Sequence, residues 1–179
     1  MKTFKPTSLI PLIVLLIFTG CKSSAIISKS KKSANLSVHL GARRGAIFTE
    51  KYSISKINAS GFNPSKRFTP TRKEIDKIDR ILYAQVIGYG KSKGNVYKPS
   101  PVLDRNSHTL RNYFSQYVGY ITPDGEKVIH TNFVWNENKL IGVDNDYVAE
   151  ADTENLNWQV DINLTTQKVI DVRINNLNR

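Results

Sequence analysis

The chain has 179 residues, 40% of them hydrophobic, and a net charge of +11 from 26 Lys and Arg against 15 Asp and Glu. That apolar share supports one real core, which argues against a disordered polymer, and the length fits a single domain. One cysteine rules out an internal disulfide. The basic balance does not mark a nucleic-acid binder, because no recognition module and no basic patch interleaved with aromatics accompanies it.

Lys2 and Lys5 precede an uncharged run from Leu9 to Phe18, LIPLIVLLIF, which has the layout of a secretory signal peptide. The run is half the roughly 20 residues a helix needs to cross a bilayer, so residues 1–20 are expected to be cleaved. Phe18, Thr19, Gly20 and Cys21 resemble a lipobox, a bulky residue and two small ones before the cysteine to be acylated. The resemblance implies a lipoprotein that starts at Cys21 with palmitate-like chains on it, and two or more chains hold a protein stably at a membrane. Lys22 follows where an inner-membrane retention aspartate would stand. The expected location is therefore the cell envelope, lipid-anchored at the outer membrane.

Charge is unevenly spread. Residues 22–73 carry twelve basic side chains against Glu50 alone, a net of +11, whereas residues 74–111 net +3 and residues 112–179 net −5. The Lys and Ser-rich stretch from Lys22 to Asn35 reads as a spacer whose cations are attracted to an anionic bilayer surface. Residues 21–35 are thus expected to be a flexible basic tether, and residues 36–179 a single α+β domain.

Within that domain Leu36, Val38 and Leu40 alternate with polar residues, and Tyr52, Ile54 and Ile57 suggest a second short strand. Gly61, Asn63 and Pro64 mark a turn. Thr71 and Glu74 have capping-box spacing, after which Ile75, Ile78, Leu82 and Val86 form a narrow apolar stripe. Asp76 and Arg80 are spaced for an i,i+4 ion pair, and Gly88 and Gly90 close the helix. A Gly, Lys and Pro-rich loop spans Gly88 to Pro101, and Asp104 to Asn112 reads as a short helix or an irregular approach. Tyr113–Ile121 and Glu126–Trp135 read as a hairpin across Thr122-Pro123-Asp124-Gly125.

A last hairpin follows, with Trp158, Val160, Ile162 and Leu164 facing Ile170, Val172 and Ile174. Placing both apolar sets on one face requires paired numbers with an even sum, hence a three-residue loop at Thr165, Thr166 and Gln167 with Gln167 left-handed. Asp161 then opposes Asp171, with Arg173 diagonal to both; a slipped register would put Asp161 opposite Arg173. The predicted fold is α+β, an antiparallel sheet of about four or more strands with one main amphipathic helix packed on it.

The stretches FNPSKRFTPTRKEI (62–75), QYVGYITPDGEKVI (116–129) and VDINLTTQKVIDVRIN (160–175) resemble those of small uncharacterised lipoproteins of Bacteroidota. The Thr-Thr turn before a Val-rich strand is similar, more weakly, to PepSY-like domains. Neither likeness implies an activity or transfers a catalytic residue.

Catalytic signatures such as GxSxG, HExxH or a phosphate loop do not occur. His39, His108 and His130 lack metal-ligand spacing, and His130, in a strand pattern, is better read as structural. Asp144, Asp146 and Glu150 offer hard oxygens for Ca²⁺ without EF-hand spacing, and an exposed acidic loop is the commoner outcome; no cofactor is expected. Trp135, Trp158, Tyr117 and Tyr120 could line a binding groove, although strand aromatics more often pack a core. The leading expectation is a non-enzymatic, membrane-tethered binding or assembly module whose sheet face or edge holds a peptide, glycan or envelope protein. The alternative is an envelope hydrolase with a site assembled from dispersed residues such as His130, Asp161 and Asp171.

Overall fold

A computed structural model describes residues 24–29, 35–54, 57, 59–87, 109–135, 142–148 and 157–174. They form a mixed, mostly antiparallel sheet packed on one helix, as the α+β expectation requires. The strands are β1 (Ile26–Lys29), β2 (Leu36–Leu40), β3 (Arg43–Phe48), β4 (Arg67–Phe68), β5 (Tyr113–Ile121), β6 (Lys127–Trp135), β7 (Trp158–Asn163) and β8 (Lys168–Ile174). The order across the sheet is β1-β2-β3-β5-β6-β7-β8, with β4 paired to β5 off this path. The β3–β5 pairing is parallel and all others are antiparallel.

The helix α1 (Arg72–Leu82) starts as its sequence dictates. Thr71 accepts from the Glu74 amide, and Glu74 Oε2 accepts from the Thr71 amide at 2.8 Å, so two orphan donors are satisfied. Ile75, Ile78, Ile81 and Leu82 are buried, and a π-helical turn (Tyr83–Ile87) follows. Asp76, expected to face Arg80, instead holds the chain before β1. Its Oδ1 accepts from the Ala25 amide at 2.6 Å and its Oδ2 from Ser24 Oγ at 2.9 Å. Next along the helix, Lys77 Nζ donates to the Leu164 carbonyl at 2.8 Å, beyond the end of β7. Strands β1 and β7 stand five places apart in the sheet, so contact of adjacent helical residues with the chain before β1 and with the β7–β8 loop means that the sheet curls around α1.

Alternation divides the strands between two faces. The inner, helix-facing side collects Val38, Leu40, Ile47, Tyr113, Tyr117, Ile129, Phe133, Trp158, Val160 and Ile162 with the apolar stripe of α1. The outer side collects Ala46, Phe48, Val118, Tyr120 and Val128 with Ile54 and Ile57. On β3, Arg43 lies inward and pairs with Asp79 of α1 at 2.5 Å. Gly45 opposes Ser115, and a Cβ there would stand 2.3 Å from the Ser115 carbonyl oxygen, so this parallel pairing needs a bare backbone.

Both predicted hairpins form. The Gly125 amide donates to the Thr122 carbonyl at 3.0 Å and Gly125 is left-handed at φ 82°, a turn whose twist suits antiparallel strands. In the last hairpin Gln167 takes φ 59°, as its loop position demands. The even register holds from Trp158↔Ile174 to Asp161↔Asp171, but Ile162 pairs with Val169 and Asn163 with Lys168. Ile170 is the extra residue, a bulge that lets a four-residue loop coexist with the face-matching register farther along. The Asp161–Arg173 register does not form.

Two expectations are corrected. Residues 26–29, assigned to a flexible tether, form the edge strand β1, with Ala25 before it fully buried. Tyr52, Ile54 and Ile57 form no strand; Ile54 and Ile57 bury against the outer face from irregular backbone. The predicted approach to β5 is in part a 3₁₀ turn, Thr109–Asn112.

Candidate functional site

On the outer face the alternating positions of β5, β6 and β7 are polar as well as apolar. Gln116, His130, Asn132, Gln159, Asp161 and Asn163 are all buried there. Buried polar groups are usually hydrogen-bonded, and Gln116, His130 and Asn132, with Asp161 behind His130, are organised around the segment 142–148, which lies over the sheet, whereas Asn163 bonds Glu126 and the Thr165–Thr166 turn.

Register places His130 beside Asp161. His130 Nδ1 is 2.7 Å from Asp161 Oδ1 and Nε2 is 2.7 Å from the Tyr147 hydroxyl. A carboxylate oxygen accepts, so Nδ1 carries a proton toward Asp161, and in the tautomer protonated there alone Nε2 accepts from the Tyr147 hydroxyl. Burial first, and then the Asp161 charge, push the Tyr147 phenol well above its ordinary range. It therefore remains a donor. The second oxygen of Asp161 accepts from Arg173 Nη2, and Arg173 Nη1 reaches Asp171. The chain of contacts runs Tyr147, His130, Asp161, Arg173, Asp171, from buried imidazole to partly exposed carboxylate.

Gln116 and Asn132 complete the site. Gln116 Nε2 donates to the carbonyls of Val143 and Asp146, both at 2.8 Å, and its Oε1 accepts from Asn132 Nδ2 and the Val148 amide, both at 3.0 Å. Asn132 Nδ2 also reaches the Val148 carbonyl at 2.9 Å. One side-chain amide thus uses two donors and two lone pairs, its full capacity. Phe48 packs edge-on against Tyr147, and Asn35 donates to the carbonyls of Asp144 and Asn145.

Chemically the arrangement orients a histidine by a carboxylate, as a general base requires, but Nε2 meets a phenol from the covering segment. Among the described residues no serine, threonine or cysteine hydrogen-bonds to His130. The network's geometry is that of a clamp on 142–148.

Of the residues singled out in the sequence, His130, Asp161 and Asp171 come together through Arg173. The aromatic candidates do not converge. Trp158 stacks on Phe133 at 3.9 Å in the inner core, with Tyr117 also on that face and Tyr120 buried on the outer one. Trp135 is partly buried at the inner face, edge-on to Tyr113. The four do not line a common groove: Trp158, Tyr117 and Tyr120 are buried and Trp135 is partly buried against the inner cluster. Asp144 and Asp146 lie in the covering segment, where Asp146 Oδ1 accepts from the Tyr52 hydroxyl at 3.3 Å; Glu150, Cys21 and His108 lie outside the described residues. His39 is exposed on β2. Among the described residues no group of three potential metal ligands occurs, and no helix is long and apolar enough to cross a membrane.

Tyr147, Gln116 and Asn132 were not anticipated. Gln116 and Asn132 carried a signal, polar side chains within long, largely apolar strands, while Tyr147 sits in a stretch without periodicity. Comparison with known protein families, with curated proteins and with solved structures finds no match to this chain.

Proposed function

We propose that this chain is a lipid-anchored module of the cell envelope, held at the outer membrane through acylated Cys21, that binds or assembles with an envelope peptide, glycan or protein and does not catalyse. One observation carries the non-catalytic half: His130 and Asp161 are buried, and Tyr147 and Arg173 take up the ring nitrogen and the carboxylate oxygen that catalysis would need free. A base needs reach to a substrate proton, and this one spends its reach on holding 142–148. With the strand aromatics packed in the core, the surfaces that suit a partner are the sheet edges. The lipobox-like run and the likeness to small lipoproteins support the anchor.

Mass spectrometry of the protein matured in a Gram-negative host tests the anchor. Wild type is expected to begin at Cys21 with acyl mass and to fractionate with membranes, whereas Cys21→Ala stays uncleaved or becomes soluble; an unacylated wild type overturns the reading. The envelope hydrolase is the second reading, favoured by the His130–Asp161 contact. Turnover of ester, peptide or glycoside substrates that His130→Ala abolishes while circular dichroism stays unchanged would establish it in place of the first.

A further inference from the structure

The folded domain begins almost at the anchor. Ala25 is fully buried, and Ser24 is held by Asp76 and by Arg72, whose Nη2 donates to Ser24 Oγ at 2.7 Å. Three residues connect Cys21 to this fixed point, and three extended residues reach about 10 Å. That is about one Debye length at physiological salt, so cations near Ser24 lie within the surface potential of any bilayer that holds the acyl chains of Cys21.

The surface at this end suits such a neighbour. On the outer face Ile26, His39 and Arg44 form one cross-strand row over β1, β2 and β3, all exposed, with Ile26 at 64%. Arg72 and Lys73 are exposed on the first turn of α1, beside Ser24. Among the described residues up to Lys73, the part that supplies β1 to β4, eight Lys and Arg stand against Glu50 alone, whereas the described residues from Asn112 on, which supply β5 to β8 and their loops, carry three against six acids. Strands β1 to β4 themselves hold Lys29, Arg43, Arg44 and Arg67 and no acid, so the basic surplus lies at the end nearest Ser24.

We infer that the β1–β3 end of the sheet seats directly on anionic lipid headgroups, with Ile26 entering the interface and Arg44 and Arg72 facing phosphate. The domain has a fixed orientation on its membrane and presents the opposite edge, β8 with half-exposed Ile170, to the aqueous compartment. This rests on the reading of Cys21 as the acylated residue. Short reach confines the domain, basic residues near the surface add attraction, and one exposed apolar side chain gains by leaving water.

The test uses the mature acylated protein on vesicles of phosphatidylethanolamine and phosphatidylglycerol, with an environment-sensitive fluorophore on Ile26→Cys or, separately, Ile170→Cys. Both positions are exposed, so neither change removes core. The expected result is blue-shifted emission at position 26, quenched several-fold more by a lipid-borne quencher than emission at position 170. Arg44→Gln should weaken the seating about fivefold, read as greater access of aqueous iodide to the probe at 26. If the protein pellets with vesicles while the two probes respond alike, the domain stands off the bilayer and the inference fails with the anchor intact. If the protein remains in the supernatant, the anchor reading fails and the inference falls with it.

Discussion

The two faces of the sheet are built from the same strands by opposite means. On the inner face, complementary apolar surface is held by a helix, and Trp158, Phe133, Ile129 and Ile162 need no partner more specific than a filled volume. On the outer face, His130, Asp161, Gln116 and Asn132 are as deeply buried, yet what they hold is a length of irregular backbone, carbonyl by carbonyl. A packed face tolerates change in proportion to the volume lost, whereas a hydrogen-bonded face fails at single atoms, because each unmatched polar group bears its whole desolvation cost.

That contrast predicts a graded series. Trp158→Ala should cost about 4 kcal/mol, the typical loss for deleting a fully buried aromatic, measured by urea unfolding. Asp161→Ala should cost about 3 kcal/mol, since it leaves the buried His130 Nδ1 without its acceptor and Arg173 with Asp171 as its one carboxylate partner among the described residues. Its signature differs from that of Trp158→Ala: amide exchange should rise first in 142–148, before β5 and β6 open. A uniform rise across the sheet would show that the outer network belongs to the global core.

Gln116→Ala removes few apolar contacts but leaves backbone groups at Val143, Asp146 and Val148 unmatched, at a cost of about 2 kcal/mol. Limited proteolysis should cut within 142–148 while far-UV circular dichroism stays as in the wild type. Thr71→Ala, on the helix side, should cost about 1 kcal/mol through the lost cap, seen as a lower melting temperature with the outer face unaffected.

The smallest effect is a pH dependence. Desolvation pushes the Glu74 carboxyl up, but the Thr71 amide and hydroxyl and then Lys127 outweigh it and hold it below its ordinary range. The folded pKa is thus depressed, so this stabilisation is present above the unfolded value of about 4.3 and is lost as pH falls through the folded one. Glu74→Gln should remove that part of the acid limb, with little further change above pH 5 in its slope.

Legibility followed sequence distance. The capping box at Thr71 and Glu74, the Thr122–Gly125 turn and the left-handed Gln167 involve neighbours in the chain, and each formed as read. In the last hairpin, face matching and turn geometry demanded different registers, and a bulge at Ile170 satisfied both. Strand β3 was not legible because RRGAIF has no alternation: Arg43 is inward only because Asp79 waits on α1, and Gly45 is required only by the close approach of Ser115. At the candidate site the association of His130, Asp161 and Asp171 could be suggested from sequence, but their partner Tyr147 could not.

By itself the sequence determined the periodicities, caps and turns that make α1 and the two hairpins, along with the uneven charge and the lipobox-like run around Cys21, because these depend on bonds and neighbours within a few residues. Only the tertiary structure decided that β1 is a strand rather than a spacer, that β3 runs parallel to β5, and that the outer polar row clamps 142–148. Those outcomes depend on which distant groups arrive to satisfy a buried donor or fill a bare backbone, and burial is a property of the whole fold.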